Sequence, residues 1–180
     1  MYSTTPVSGQ IDARDPLFTY LEDFVASASS FYTSSPKFQM SALDADRSIY
    51  LCREMSSGTA VVCKFFGGRS DLPRFECSKL LNHEFYCLNR VRVEGLDHAP
   101  LAVVRPLGKV EELGCLLAEE YVRGRSMDYY IQKAAHEGQG QRLVRNLNLL
   151  ADFFAQLHQS TSCRAASEFS EVANSFRCLV

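Results

Sequence analysis

The chain has 180 residues, 46% of them hydrophobic, and a formal net charge of −2. This size supports one packed core or a core with part of a second lobe. The lack of basic excess argues against a nucleic-acid partner and a basic membrane-binding face. No apolar run approaches the ~20 residues that span a bilayer, and residues 1–16 lack the regions of a signal peptide. The composition therefore predicts a soluble, cytoplasmic protein.

The cysteines and histidines do not form a recognisable metal or redox motif. The number of cysteines is odd, seven, and no two have C-x-x-C spacing. His83 precedes Glu84, but no second histidine completes an H-E-x-x-H motif. We expect no metal site in this chain and interpret the cysteines as reduced and mostly buried. They are Cys52, Cys63, Cys77, Cys87, Cys115, Cys163 and Cys178.

The N-terminal part of the chain predicts a helix after a disordered start at residues 1–10. Asp15 followed by Pro16 is typical of a helix start, because aspartate caps the first turn and proline suits the first helical position. Apolar residues then recur at helical spacing as far as Phe31. We expect an amphipathic helix that packs on the part of the chain that follows.

Residues 37–66 predict three antiparallel strands. Short runs rich in β-branched and aromatic residues lie at 37–43, 48–55 and 59–66. The Ser-Ser-Gly sequence at 56–58 is typical of a hairpin turn between the last two. We therefore expect a three-stranded meander.

The rest of the chain predicts three helices and two further strands. In order, these are a helix from about Arg74 to Arg92, strands at 99–110 and 115–122, a short helix capped by Ser126, and a helix from about Leu143 to His158. The expected apolar stripe is Phe75, Leu81, Phe85, Leu88 and Val91 on the first helix, and Leu143, Leu147, Leu150, Phe154 and Leu157 on the last. The whole pattern predicts an α+β protein with a five-stranded antiparallel sheet and one inserted helix.

A lysine lies in the middle of the apolar strand sequence AVVCKFFGG, residues 60–68. A buried ammonium group is costly unless an anion meets it. Lys64 could lie at an edge with its ammonium group reaching water. Alternatively, Glu84 flanks the apolar stripe of the next helix and is expected to point toward the sheet. A pair between Lys64 on the strand and Glu84 on the helix would remove the cost of burying either charge.

These residues resemble the kinase-fold ATP phosphotransferases. The V-x-x-K sequence from Val61 to Lys64, with a glutamate 20 positions later, resembles the lysine and helix glutamate of that fold. Residues 116–124 resemble its fifth strand and hinge, and the helix ending in Leu157-His158 resembles the first long helix of its C-lobe. The hinge sequence, residues 119–127, and the Arg105-Pro106 pair are more similar to the bacterial lipopolysaccharide-sugar kinases and aminoglycoside phosphotransferases than to eukaryotic protein kinases.

The resemblance implies a kinase-like N-lobe and the start of a helical C-lobe. The implied division is a tail and extra helix at 1–36, the N-lobe at 37–122, and the hinge with an incomplete C-lobe at 123–180. The parent enzyme would transfer the γ-phosphate of ATP, with Mg²⁺, to a hydroxyl group of a sugar or other small molecule.

The resemblance also implies roles for individual residues in nucleotide binding. Lys64 would bind the phosphates, Glu84 would position Lys64, and Val62 would cover the adenine. The backbone of Glu120 and Val122 would hydrogen-bond the adenine edge, Ser126 or Asp128 would meet the ribose, and Glu119 would lie near the gatekeeper position.

The sequence departs from the family in two places. Residues 43–48, where the family places a phosphate-binding turn, contain no glycine and two carboxylates; Arg47 would partly compensate for their charge. No aspartate follows Asp152, so the catalytic base and the Mg²⁺ ligands are missing. We therefore expect no catalytic residue in this chain and no activity by itself, with the Mg²⁺ ligands lying beyond its end.

Two explanations of the missing aspartates remain open. The abrupt apolar end at Leu179-Val180 favours the N-terminal portion of a longer kinase-like protein. Alternatively, the protein is naturally short, as a pseudokinase-like module that binds a nucleotide or a partner. A structural α+β domain without a nucleotide site is the third hypothesis. An incomplete lobe would expose the stripe of the last helix, so we also expect self-association.

Overall fold

The computed structural model describes residues 9–29, 35–44, 48–68 and 73–161. Over these ranges the chain is α+β, with a six-stranded antiparallel sheet, a separate two-stranded hairpin and four α-helices. The strands are β1 (Gly9–Gln10), β2 (Phe38–Ala42), β3 (Ile49–Glu54), β4 (Ala60–Phe65), β5 (Asp97–His98), β6 (Leu101–Ala102), β7 (Pro106–Val110) and β8 (Leu116–Glu120). The helices are α1 (Pro16–Ala28), α2 (Arg74–Val93), α3 (Met127–Glu137) and α4 (Gly140–Thr161).

The main sheet has the strand order β1-β2-β3-β4-β8-β7, with every neighbouring pair antiparallel. Strands β2, β3 and β4 form the predicted meander, and the turn at residues 55–57 joins the last two. Gly58 follows this turn with φ of 73°, which favours glycine because it has no Cβ. The later strand β8 inserts between β4 and β7, so β4 lies in the interior of the sheet.

Helix α1 covers one face of the sheet, as its amphipathic pattern predicted. The side chain of Asp15 accepts a hydrogen bond from the N–H of Leu17, and Pro16 occupies the first turn. Leu21 and Phe24 are buried in one cluster with side chains of the meander. Gly108 in β7 lies directly below this helix, since a Cβ there would be 2.5 Å from the ring of Phe24. The absence of a side chain at Gly108 therefore permits the close approach of α1.

Helix α2 packs on the opposite face through three residues of the predicted stripe, Leu81, Phe85 and Leu88, but not through Phe75. Cys77 and Leu81 are buried against Cys115 and Leu117 of the sheet region, whereas Phe75 is 67% exposed. The side chain of Cys77 therefore packs against the sheet, where we expected Phe75. Free cysteine packs as a small hydrophobic residue.

The expected single strand at 99–110 is wrong. Residues 101–102 belong to the small β5–β6 hairpin, and only 106–110 join the main sheet. Pro106 is the first residue of β7. Proline has no N–H to donate to a sheet ladder, and the first position of a strand is one that tolerates it. The expected five strands become six because Gly9 and Gln10 pair with β2. The prediction of disorder is therefore wrong for these two residues, and residues 1–8 lie outside the described ranges.

None of the five cysteines in the described ranges forms a disulfide bond, and all but one are buried. The buried ones are Cys52, Cys63, Cys77 and Cys115. Cys87 is only partly buried, and Cys163 and Cys178 lie outside the described residues.

Helices α3 and α4 follow the sheet, and α4 keeps an exposed apolar side. Gln156 of α4 donates a hydrogen bond to the carbonyl of Gly95 at 3.2 Å, which ties this helix to the end of α2. Leu147 is 45% exposed and Phe154 is 47% exposed. The predicted exposed apolar patch is therefore present on α4. Within the described residues, none of the helices is both long enough and apolar enough to cross a membrane.

Candidate functional site

Lys64 lies in the interior strand β4, directly opposite Ile49 of β3 and Leu117 of β8. Side chains alternate between the two faces of a strand. Lys64 therefore shares its face with Val62 and with Glu119, which lies opposite Val62. This is the face on which α2 packs, away from α1.

The ammonium group of Lys64 lies between two carboxylates. Its Nζ is 2.7 Å from Oε1 of Glu84 on α2 and 2.8 Å from Oε1 of Glu119 on β8. The predicted pair between strand and helix is confirmed, and Lys64 does not lie at a sheet edge with its ammonium group turned to water. The side chains of Lys64, Glu84 and Glu119 are 27%, 35% and 5% exposed, so the ion pairs are screened unequally by water.

The contact of Lys64 with Glu119 was not predicted from the sequence. The resemblance suggested only a gatekeeper position for Glu119, without a partner. Part of the contact could have been inferred, because side chains alternate along β8 and this alternation places Glu119 on the same face as Leu117. The register between β8 and β4 was also needed, and the sequence alone did not fix that register.

The protonation behaviour of this cluster reflects its burial. Burial raises the pKa of Glu119, the hydrogen bond and positive charge of Lys64 oppose that rise, and the nearby charge of Glu84 adds to it. Burial alone would lower the pKa of Lys64, but hydrogen bonds to Glu119 and Glu84 outweigh it and raise that pKa. Lys64 therefore remains a cation at neutral pH. With both carboxylates ionised, the cluster carries one net negative charge.

Glu120, the next residue of β8, belongs to a different network of hydrogen bonds and ion pairs. Its carboxylate accepts a hydrogen bond from the N–H of Arg105 at 2.7 Å and lies 3.7 Å from the guanidinium of Arg92. Its own N–H donates to the carbonyl of Arg105 at 2.9 Å. The N–H of Glu120 is therefore already used within the fold and is not free for the predicted contact with adenine.

The other residues assigned to the hinge have no described contact with Lys64. Val122 is 61% exposed in the segment between β8 and α3. The hydroxyl of Ser126 accepts a hydrogen bond from the N–H of Tyr129 and caps α3, as predicted for a helix start. Asp128 accepts a hydrogen bond from the side chain of Gln132 at 2.9 Å. Ser126 thus has a structural function that a ribose contact would have to share.

The loop between β2 and β3 uses one of its carboxylates internally. Asp44 accepts hydrogen bonds from the N–H and hydroxyl of Ser48 and from the N–H of Ile49. The hydrogen bond from the Ser48 hydroxyl is the main cause that lowers the pKa of Asp44. Asp44 therefore closes the loop, while residues 45–47, including Arg47, lie outside the described ranges.

A surface groove of about 300 Å³ lies at another place in the fold. It is lined in part by Arg53, Glu120 and Arg123, and Lys64 is not among its lining residues.

In the part of the chain that the structure describes, no three His, Cys, Asp or Glu side chains are grouped in a way that could hold a metal ion. Comparisons with protein-family models, curated proteins and solved structures found no match.

Proposed function

We propose that the chain is the N-terminal, ATP-binding part of a kinase-like phosphotransferase. The observation that supports this most is the 2.7 Å ion pair between Lys64 of β4 and Glu84 of α2. A lysine on the third strand of the meander, oriented by a glutamate from the next helix, is the arrangement that the family resemblance implies. The position of α2 between β4 and the later strands β7 and β8 of the sheet is also the one that the resemblance implies.

The dimensions of the sheet are compatible with a nucleotide along β8. Leu117 lies opposite Lys64, and Glu120 ends the strand three residues later. At ~3.3 Å per residue this leaves roughly 10 Å between the lysine position and the start of the linker. An extended ATP separates its base from its outer phosphates by a comparable length. Val62 lies between these two positions on the same face as Lys64.

The proposed reaction of the parent protein is transfer of the γ-phosphate to a hydroxyl group of a sugar or other small molecule. This chain supplies Lys64 as a phosphate-binding cation and Glu84 as its positioning residue. We assign no Mg²⁺ ligand, because the described residues hold no suitable cluster, and no catalytic base, because the sequence has no aspartate after Asp152. The chain by itself is therefore proposed to bind nucleotide without transferring phosphate.

Calorimetric titration of the purified chain with ATP tests the proposal. We expect saturable binding that Lys64→Met weakens by at least tenfold, because a charge-assisted hydrogen bond to phosphate is lost. Lys79→Met is the matched control, since Lys79 also pairs with a glutamate of α2, Glu76, but is 57% exposed. Absence of binding at millimolar ATP, or equal effects of the two substitutions, would refute the proposal.

A structural ion pair is the second candidate function for the cluster. The observation in its favour is that Lys64 already has two carboxylate partners. In that case Lys64→Met lowers the free energy of unfolding while ATP fails to bind the wild type. The pseudokinase-like module predicts a third result, in which the wild type binds ATP but Lys64→Met lowers the free energy of unfolding more than it lowers the affinity for ATP.

A further inference from the structure

Glu119 occupies one of the N–H donors of Lys64 that could otherwise bind a phosphate. An ammonium group has three N–H donors, and Glu84 and Glu119 accept hydrogen bonds from Lys64 at 2.7 Å and 2.8 Å. A phosphate group arriving at Lys64 must therefore use the remaining donor or displace a carboxylate.

The side chains of Glu84 and Glu119 differ in how easily they can turn away from Lys64. Glu84 lies on a helix with its side chain 35% exposed, so it can rotate into water. Glu119 is 5% exposed, and its strand is paired on both sides, with Val62 and Pro106 opposite this residue. The sheet therefore fixes the backbone of Glu119, and its buried side chain has less room to turn away, so its carboxylate stays close to any ligand bound by Lys64.

We propose that Glu119 is an autoinhibitory residue that holds the ammonium group of Lys64 against the sheet and weakens the binding of a nucleotide's phosphates. This inference rests on the proposed ATP-binding function. It assigns opposite effects to the two carboxylates, because Glu84 positions Lys64 for phosphate and Glu119 competes with phosphate. The residue acts on the phosphate part of the ligand and not on its base.

Substitution of Glu119 by glutamine tests the inference with little change in shape. The amide keeps an acceptor for Lys64 but removes the negative charge. We expect Glu119→Gln to bind ATP and inorganic triphosphate on the order of tenfold more tightly than wild type, with unchanged affinity for adenosine. Glu84→Gln should bind ATP more weakly. Glu76→Gln removes an exposed carboxylate that also pairs with a lysine, and should change nothing.

The outcomes separate this inference from the proposed function. If wild type binds ATP and Glu119→Gln binds it equally or more weakly, autoinhibition is wrong while nucleotide binding stands. If neither folded protein binds ATP or triphosphate, the proposed function fails and the inference fails with it. A gain in adenosine affinity as large as the gain for triphosphate would also overturn the inference, since a general change in the pocket would explain it. If Glu119→Gln does not fold by circular dichroism, Glu119→Met replaces it, with the same expected gain and the same contradicting results.

Discussion

Glu54 at the end of β3 is a buried carboxylate, 1% exposed, that organises the turn between β3 and β4. It accepts hydrogen bonds from the N–H of Ser56 at 3.0 Å, the hydroxyl of Ser56 at 2.7 Å and the N–H of Ser57 at 2.5 Å. The N–H of Lys37 donates to it at 3.3 Å. Burial alone would raise the pKa of Glu54, but these hydrogen bonds, those of Ser56 foremost, lower that pKa from 4.5 to about 2.

This lowered pKa predicts that folding stability depends on the charge of Glu54. A carboxylate with a lower pKa in the folded than in the unfolded chain stabilises the fold above the unfolded value of 4.5, and this stabilisation is lost as the pH falls toward about 2. The difference between these values corresponds to a maximum of about 3 kcal/mol. Because solvent next to the turn screens the charge, we expect about 1–2 kcal/mol.

Denaturant unfolding of wild type and Glu54→Gln, measured between pH 7 and pH 3, tests this prediction. The variant should be less stable by about 1–2 kcal/mol at pH 7. This difference should shrink to about half at pH 3, because below 4.5 the carboxylate of Glu54 is protonated in the unfolded chain while it is still ionised in the folded one. Glu112→Gln, which changes an exposed carboxylate in the turn before β8, is the control. A difference between Glu54→Gln and wild type that stays constant with pH would refute the reasoning.

Two further predictions concern packing and surface. Gly108→Ala should lower the free energy of unfolding by about 1–3 kcal/mol, because the new methyl group meets the ring of Phe24 at 2.5 Å. The control Gly124→Ala, where a Cβ has no atom within 4 Å, should change the free energy of unfolding by less than about 1 kcal/mol. Equal effects of the two substitutions in denaturant unfolding would contradict the close packing of α1 on Gly108. The exposed stripe of α4 should drive self-association, so the double substitution Leu147→Ser and Phe154→Ser should lower the apparent mass in analytical ultracentrifugation, and a wild type that is monomeric at high concentration would contradict the expectation.

Most of the fold could be predicted from the sequence because local signals agreed with one another. The Asp15-Pro16 start of α1, the turn at residues 56–58 and the Ser126 cap of α3 each rest on chemistry within a few residues. The structure has both helix starts at the predicted places and the turn one residue earlier, at 55–57. The pair of Lys64 with Glu84 was predictable as well, because a lone charge on an apolar face requires a partner.

The rest depends on long-range pairing that local patterns do not determine. The edge strand β1 exists only because Gly9 and Gln10 meet β2, and two residues carry no periodic signal. The division of residues 99–110 follows from the pairing of β7 with β8. Glu119 reaches Lys64 through the register of β8 against β4. That register is a tertiary property, so sequence reasoning could place Glu119 on a strand but could not assign its partner.

An amide NMR titration of the ¹⁵N-labelled chain with ATP would show, residue by residue, whether Lys64 lies in a nucleotide site. We expect the largest shifts in three segments: β4 around Lys64, α2 around Glu84, and residues 119–122, which include the end of β8 and the start of the linker. Adenosine alone should shift only the last of these and the neighbourhood of Val62. A spectrum unchanged at millimolar ATP, or shifts confined to α4 and the groove beside Arg53 and Arg123, would contradict the claim that Lys64 is part of a nucleotide site.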